Sequence, residues 1–210
     1  MIYFTKLIHF VITIITKYNI DESHGLSHAF NIWLHANHIY ESEIIQHPEL
    51  VKYENIIYIS AILHDMCDKK YMDVELGINI IEQFLLDIDT IELTHCEIKA
   101  ICDIINTMSY SKVKVDGYPD LGEYQLAYHI VREADLLCAY DFDRCMIYHM
   151  FIYNSTIEHA FTDAVILFNN RVFQHNNDKL FLTEYSKNLS KSMESHSHMR
   201  ITQWRKMLYS

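Results

Sequence analysis

Three short segments of the chain place imidazole and carboxylate groups where they could hold a divalent cation. In the first, His24 and His28 are four residues apart, so on a helix both side chains lie on one face. In the second, an apolar run ends abruptly in His64 and Asp65, and in the third Asp135 interrupts an apolar helical pattern. Imidazole and carboxylate suit borderline-hard divalent cations, and a buried charge without a partner is costly. The three segments are candidates for a shared cation site, although a hydrogen-bond donor would also satisfy Asp135.

Each of these residues also has an ordinary structural interpretation. The chain has 14 histidines, so a pair at this spacing can arise by chance, and a lone histidine is more often a surface or satisfied core residue. Asp68 and Lys70, which follow the His-Asp pair, could form a solvated helix end. Arg144 could form a surface ion pair with a neighbouring aspartate. The types and spacing of these residues leave both interpretations open.

The elements that must position these groups are predicted to be helices. Glycine (4) and proline (2) are scarce in 210 residues, and few breakers favour long helices. Apolar residues recur at helical spacing, whereas strand-like alternation bounded by turns is absent. The only convincing long loop is 109–122, which contains two glycines and a proline. The helices are predicted over 2–18, 25–44, 51–64, 74–87, 93–108, 123–137, 140–152, 156–174 and 179–207.

We therefore predict an all-α fold in a single domain over 1–210. The predicted core covers about 20–175, flanked by an N-terminal helix, 2–18, and a C-terminal helix, about 179–207. The length allows one well-buried core, and no internal repeat or domain linker is visible. The apolar face of 2–15 could pack on the core or mediate a homodimer, and the sequence does not choose between them.

Composition disfavours several classes of function. The net charge of −11, with no cluster of lysine and arginine, argues against a long nucleic acid as partner, while a small phosphorylated ligand remains compatible if a metal supplies positive charge. The apolar start of the chain is too short and too often interrupted for a membrane span. Five cysteines without a Cys-x-x-Cys pair fit a reducing compartment, so we expect a cytoplasmic protein.

The ordered combination of motifs resembles the HD-domain superfamily of metal-dependent phosphohydrolases, and within it the small stand-alone HD hydrolases. That branch opens with His-Asp-x-x-His, and this chain has His-Gly-Leu-Ser-His at 24–28. It continues with Leu-His-Asp-x-x-Asp-x-Lys, matched by Leu-His-Asp-Met-Cys-Asp-Lys-Lys at 63–70. A Met-Ser-aromatic turn follows at 108–110, and an Ala-Asp-x-Leu motif at 134–137. The resemblance covers about residues 20–207 and implies a helical bundle of the HD-domain type.

The resemblance implies one divalent metal ion held by His28, His64, Asp65 and Asp135. Manganese, magnesium, iron, nickel, cobalt and zinc all occur in the superfamily, so the sequence does not identify the metal. It also implies a role for that ion in lowering the pKa of a water molecule and polarising a phosphoryl oxygen.

The resemblance further implies roles for five polar residues around that metal. Asp68 would accept a proton from the attacking water or orient it. Lys70, together with Lys69, would neutralise charge on the transferring phosphate. His24 would contact phosphate or act as acid to the leaving group, and Arg144 would contact substrate. Asp68, Lys70 and His24 are thus the predicted catalytic residues, and Lys69 and Arg144 the predicted substrate-binding residues.

The chain departs from the branch at three places. Gly25 stands where the branch has aspartate, and Thr107 stands where it often has histidine. The glycine-rich stretch after Ala-Asp-x-Leu is replaced by a shorter connection, 138–143. These departures bear on whether a second metal or phosphate contact exists, while the four metal positions are intact.

Three functions follow as hypotheses. The first is hydrolysis of a phosphate ester or anhydride, with a nucleotide as substrate, in which case the enzyme is a nucleotidase or a nucleoside triphosphate pyrophosphohydrolase. The second is a degenerate HD scaffold that binds metal or nucleotide without turnover. The third is a helical interaction module, which predicts that the purified protein holds no metal.

Overall fold

The computed structural model describes residues 2–209, which form ten α-helices and no β-strand. The all-α class is therefore confirmed; the predicted domain limits, 1–210, extend one residue beyond each end of the described chain. The helices are α1 (Ile2–Tyr18), α2 (Leu26–Glu43), α3 (Glu54–Leu63), α4 (Val74–Asp87), α5 (His95–Thr107), α6 (Tyr110–Asp116), α7 (Gln125–Cys138), α8 (Phe142–Tyr153), α9 (Ile157–Asn170) and α10 (Glu184–Tyr209).

Three helices, α2, α3 and α7, pack against one another at the centre of the fold. α3 is apolar on nearly every side, and seven of its ten residues are buried, from Ile56 to Leu63. A helix that is hydrophobic all round must lie inside a protein. α2 and α7 each bury one face against it, led by Ile32 and Ile39 on α2 and Ile130 on α7. Since these three helices carry or adjoin the candidate metal ligands, the core itself positions the site.

The N-terminal helix α1 packs on this core. Leu7, Val11 and Ile14 are spaced by three and four residues along α1 and are buried, as expected for an amphipathic helix. α1 contacts α2 and α3. Of the two roles that the sequence left open for this helix, core packing is the one that the structure shows. Within residues 2–209, no helix is both long enough and apolar enough to span a membrane.

α4 approaches the segment after α3 so closely that only glycine fits at one position. A Cβ atom built on Gly77 would lie 2.5 Å from the Cβ of Cys67, closer than packed atoms come. Asp73 caps α4 by accepting a hydrogen bond from the backbone N–H of Leu76. The close approach of Gly77 to Cys67 holds the segment that carries Asp65 and Asp68 against α4.

The predicted loop 109–122 contains a helix, so that prediction was wrong in part. Ser109 caps α6 by accepting from the backbone N–H of Lys112, and α6 ends at Gly117 with a φ of 77°. No residue of α6 is buried. A helix without a buried face leaves no hydrophobic periodicity in the sequence, which is why the pattern indicated a loop.

The C-terminal helix begins at Glu184, five residues later than predicted. Lys179 has a φ of 54°, which a helix cannot continue. The backbone N–H groups of Leu182 and Thr183 donate to the buried carboxylate of Glu133 on α7 instead of entering a helix. A tertiary hydrogen bond thus replaces the first helical turn that the sequence predicted.

Candidate metal centre

The structure brings His28, His64, Asp65 and Asp135 together from three helices. His28 lies in the first turn of α2, and Asp135 lies in the last turn of α7. His64 and Asp65 follow directly after the last residue of α3. Because α2, α3 and α7 contact one another, residues 107 positions apart in the sequence face a common point.

The four side chains lie within a few ångströms of one another. The Asp65 Oδ2 atom is 3.1 Å from His64 Nε2 and 3.3 Å from His28 Nε2. Asp135 Oδ1 is 4.0 Å from His28 Nε2. The ligand atoms of His28, His64 and Asp65 all lie within 4.8 Å of one another, while Asp135 is the outermost of the four. The side chains of His28 and His64 are 2% and 4% exposed, against 28% for Asp135, so the cluster opens on the Asp135 side.

The donor atoms of this cluster fit a cation. His64 Nδ1 donates to the Ala61 carbonyl oxygen at 2.9 Å, which directs Nε2 toward the cluster, where a bound cation would take the place of its proton. A metal-binding histidine usually makes such a bond through its other nitrogen, because this orients the ring. Although His64 Nε2 and Asp65 Oδ2 are buried, neither has a hydrogen-bond partner among the described residues. Unpartnered buried acceptors are costly, and a cation would satisfy both.

Burial and the neighbouring charges shift the pKa values of the two histidines of the cluster in opposite directions. Burial lowers the pKa of His28 to about 4, and the nearby Arg144 guanidinium acts in the same direction. Burial would also lower the pKa of His64, but the adjacent Asp65 carboxylate outweighs it and raises that pKa to about 9. Burial opposes ionisation of Asp65, yet its histidine neighbours hold its pKa well below the usual range. Asp65 is therefore the anionic centre of the cluster, and His28 offers a neutral nitrogen.

Arg144 reaches this cluster from the first turn of α8. Its Nη1 atom donates to the Ser23 carbonyl oxygen at 3.0 Å and lies 3.0 Å from His28 Nε2. The predicted alternative, a surface ion pair with Asp141 or Asp143, is absent among the described residues. Asp141 accepts from the Arg144 backbone N–H, which caps α8 and aims the side chain inward.

A second polar group lies beside the cluster of candidate metal ligands and contains three of the predicted site residues. Lys70 Nζ is 2.8 Å from His24 Nε2 and 3.1 Å from Asp68 Oδ2. The ring of Tyr148 covers this group, with its centroid 5.3 Å from that of His24 and 5.3 Å from Lys70 Nζ. Lys69 does not join it: its side chain is exposed and makes no hydrogen bond or ion pair within residues 2–209. His24, Asp68 and Lys70 thus form the polar group next to the metal ligands.

Sequence reasoning missed three members of this neighbourhood: Tyr148, which covers it, and Asp21 and Tyr71. Asp21 is buried, and its carboxylate accepts from the backbone N–H of Ser23 and from the hydroxyl of Tyr71. The Tyr71 hydroxyl also lies 3.0 Å from His24 Nδ1. Asp21 caps the short turn 22–24, and nothing in the sequence marked it as a site residue. No sequence pattern pointed to Tyr71.

The structure shows the surroundings of the three places where the chain departs from the HD pattern. Gly25 has a φ of −84°, which any residue adopts, and an added Cβ would lie 3.3 Å from the carboxylate of Glu22 and 3.4 Å from both the Asp21 carbonyl oxygen and the Glu22 Cα. Thr107 donates its hydroxyl to the Asp103 carbonyl of its own helix, at 2.6 Å. The connection 138–143 ends α7 and begins α8 within a few residues, which is what brings Arg144 to His28.

A cavity of about 540 Å³ adjoins the cluster between α2, α8 and α10. Of the four candidate ligands only His28 lines it, beside Arg144. Its remaining wall is mostly polar and includes His35, His196 and Arg200. Arg200 pairs with an aspartate of α8, so the cavity holds no large excess of charge.

Comparison with known proteins shows the fold and no more. No known family profile and no curated protein sequence matches the chain. A crystal structure of a protein from Lactobacillus plantarum, solved as a structural genomics target, is similar in fold, with a TM-score of 0.64 and 21% sequence identity. The similarity covers 97% of this chain and 96% of that one. The helical arrangement is thus shared along nearly the whole length of both proteins.

Proposed function

We propose that this protein is a divalent-metal-dependent phosphohydrolase of the HD-domain type that acts on a small phosphate ester or anhydride. The observation that carries the proposal is the convergence of His28, His64, Asp65 and Asp135 on one point, with unpartnered acceptor atoms facing it. The ordered resemblance to HD hydrolases supports the same four residues independently, since it was drawn from the sequence alone.

These four residues would hold one divalent cation. When bound, such a cation lowers the pKa of water and stabilises negative charge on a phosphoryl oxygen. Asp65 contributes the charge that attracts the cation, and His64 is held in position by the Ala61 carbonyl.

The neighbouring polar group supplies the chemistry that protein side chains must perform. Lys70 Nζ lies between His24 and Asp68, so its ammonium can turn toward an arriving phosphate and offset its charge. Asp68 and His24 then lose their contact with Lys70 and can each exchange a proton with water or with the leaving group. Arg144 also lies beside the candidate ligands and can donate a hydrogen bond to a substrate oxygen.

A small nucleotide is the substrate class that we favour. The cavity beside His28 and Arg144 has the volume of a small-molecule site, and its polar lining suits a sugar or a base. The net charge of −11 disfavours a long nucleic acid, whereas a single phosphate group can be held by the cation and two or three basic side chains. Release of phosphate from a monophosphate and release of pyrophosphate from a triphosphate are both compatible with this site.

A scaffold that binds metal or nucleotide without turnover is the second candidate. Two observations favour it: Thr107 turns its hydroxyl back onto its own helix, and the Arg144 guanidinium lies against the His28 nitrogen that would face the cation. A guanidinium there opposes a cation by charge repulsion, so metal binding would require Arg144 to move.

A metal-resolved hydrolysis screen tests the proposal. The purified protein is stripped of metal, reloaded with manganese, magnesium, iron, nickel, cobalt or zinc, and given nucleoside mono-, di- and triphosphates, while phosphate and pyrophosphate are measured separately. Asp65→Ala serves as the inactive variant, and Asp103→Ala, which removes an exposed carboxylate paired with Lys99 far from the ligands in sequence, serves as the matched control.

The outcomes separate the candidates. Metal-dependent release that is lost in Asp65→Ala and kept in Asp103→Ala supports the phosphohydrolase, and the product identifies the bond that is cleaved. Stoichiometric metal binding without release by any loaded form would support the non-catalytic scaffold instead.

A further inference from the structure

His24 is held by a chain of hydrogen bonds whose direction can be worked out from the chemistry of each partner. Its Nε2 atom is 2.8 Å from Lys70 Nζ, and its Nδ1 atom is 3.0 Å from the Tyr71 hydroxyl and 2.7 Å from the Ser23 hydroxyl. The Tyr71 hydroxyl in turn contacts the carboxylate of Asp21. The His24 side chain is only 11% exposed and that of Asp21 is fully buried, so water does not compete freely for these bonds.

Two partners in this chain can act in one direction only. The Lys70 ammonium has no acceptor, so His24 Nε2 must present its lone pair to it. The Asp21 carboxylate has no proton, so the Tyr71 hydroxyl must donate to it and turn its own lone pair toward His24. In a neutral imidazole the remaining proton is then on Nδ1, which donates to Tyr71 and Ser23.

The ionisation of the partners agrees with this direction. Burial raises the pKa of Tyr71 above its usual range, and the hydrogen bond to Asp21 raises it further, so the hydroxyl keeps its proton. Burial opposes ionisation of Asp21, but the hydrogen bonds from Ser23 and Tyr71 outweigh it and lower its pKa. The carboxylate therefore stays an acceptor at neutral pH.

We propose that Asp21 and Tyr71 are positioning residues that fix His24 in the Nδ1–H tautomer, with the Nε2 lone pair directed to the reacting side of the site. Asp21 lies before α2, and Tyr71 lies between α3 and α4. Both act on the Nδ1 side of the His24 ring, away from Nε2. The functional part of this inference rests on the proposed phosphohydrolase: once Lys70 turns to phosphate, Nε2 is free to accept a proton from water. The imidazolium formed in this way is stabilised by the Asp21 charge through the Tyr71 hydroxyl.

This arrangement separates two roles for His24. A neutral Nδ1–H tautomer cannot donate from Nε2 to a phosphate oxygen, so His24 would be a proton acceptor before it is a donor. Sequence reasoning left contact with phosphate and acid catalysis as the two roles for this residue.

The tautomer can be read directly by long-range ¹H–¹⁵N correlation NMR on the full chain labelled with ¹⁵N-histidine and free of metal. The His24 signals are identified by their loss in His24→Asn. The wild type is expected to carry its proton on Nδ1. Lys70→Met removes the ammonium that by itself requires a lone pair on Nε2, and the proton should stay on Nδ1 because Asp21 and Tyr71 remain. In the double variant Lys70→Met, Asp21→Asn, the amide oxygen can keep the bond to Ser23 while the NH₂ group faces Tyr71, which turns the hydroxyl proton toward His24 and moves the ring proton to Nε2.

Two further variants test whether the effect of Asp21 reaches His24 through the Tyr71 hydroxyl. Asp21→Asn combined with Tyr71→Phe keeps Lys70 and removes the hydroxyl that could reverse the bond, so the ammonium should hold the proton on Nδ1. Tyr53→Phe, which removes a tyrosine hydroxyl that donates to Glu123 at 2.6 Å elsewhere in the fold, should change nothing at His24. A wild type with the proton on Nε2, or a Lys70→Met, Asp21→Asn double variant that keeps it on Nδ1, would overturn the inference. If the Asp21 variants do not fold, Lys70→Met decides alone, since Lys70 is a partly exposed side chain: a proton on Nδ1 upholds the inference and a proton on Nε2 overturns it.

Activity forms a separate arm of the test. In the metal-loaded protein, Asp21→Asn should lower kcat by about 10- to 100-fold with little change in KM, since a general acid or base contributes roughly 10²- to 10⁴-fold. The predicted tautomers without hydrolysis by the wild type would uphold the hydrogen-bond chain and remove the proposed function. Hydrolysis by a wild type that carries the His24 proton on Nε2 would uphold the proposed function and remove the hydrogen-bond chain.

Discussion

Removing the carboxylate of Glu133 is expected to destabilise the protein strongly. Glu133 is fully buried on α7 and accepts from the Leu182 N–H at 2.7 Å, the Thr183 N–H at 3.2 Å and the Thr183 hydroxyl at 2.7 Å. Its Oε1 atom also accepts from Arg132 Nη2 at 3.3 Å, and Arg132 is itself only 1% exposed. In Glu133→Ala, the buried guanidinium loses its anion and the segment before α10 loses its acceptors.

The size of the effect follows from these contacts. Breaking a buried ion pair by removing one partner costs about 3–5 kcal/mol. Arg132 keeps its bond to the Leu180 carbonyl and its contact with the Tyr118 ring, so we expect the lower end, about 3 kcal/mol. For a domain of this size each kcal/mol lowers Tm by about 2–4 °C, which gives a loss of roughly 6–12 °C.

Thermal and urea unfolding followed by circular dichroism measure this change. Glu133→Gln keeps one acceptor oxygen and should fall between wild type and Glu133→Ala. Asp103→Ala removes an exposed helical ion pair with Lys99 and should cost no more than about 0.5 kcal/mol. If Glu133→Ala unfolded within about 1 kcal/mol of wild type, the carboxylate would not hold α10 to α7, and the reasoning would be wrong.

The remaining predictions concern the metal site and the histidines. Asp65→Ala should weaken Mn²⁺ or Ni²⁺ binding by more than about 100-fold in calorimetry, because changing a supporting partner alone costs roughly 10- to 100-fold. Asp68→Ala should bind the metal like wild type but turn over more slowly; equal turnover would remove Asp68 from the mechanism. Gly25→Asp should fold with unchanged or slightly higher Tm, since its φ is ordinary and aspartate is a good helix cap; a loss of several degrees would contradict this. Burial lowers the pKa of His175 to about 4, so its contribution to stability is complete above pH 6.5 and is lost as pH falls toward 4, by about 3 kcal/mol. Urea unfolding of wild type and His175→Gln between pH 7 and 4 measures this loss. If the free energies of unfolding of the two proteins changed in parallel with pH, the prediction would be refuted.

The helices could be predicted because they depend on local sequence, and the four candidate ligands because the short motifs around them resemble those of HD hydrolases. A buried helix must repeat its apolar residues every three or four positions, and α1, α4 and α5 lie within two residues of their predicted limits. The His-Asp pair at the end of α3 stands out because the preceding run is apolar on all sides. The structure then places Asp135 4.0 Å from His28, which itself contacts Asp65 of the pair, as the metal-site hypothesis requires.

Where prediction failed, a tertiary contact or its absence was the cause. α6 has no buried face, and so no periodicity marked it. The late start of α10 follows from the bonds that Leu182 and Thr183 make to Glu133, 49 and 50 residues away. A hydrogen bond over that distance leaves no trace in the local pattern of either segment.

By itself the sequence determined that the chain is helical and where most helices lie, because helical periodicity acts over a few neighbouring residues, and the resemblance of its motifs to HD hydrolases indicated which four residues could share a cation. Only the tertiary structure decided that Arg144 turns onto His28, 116 residues away, and that Asp21 and Tyr71 orient His24. Those contacts depend on how α2, α3 and α8 pack, and packing is set by the shape of the whole core rather than by any one segment.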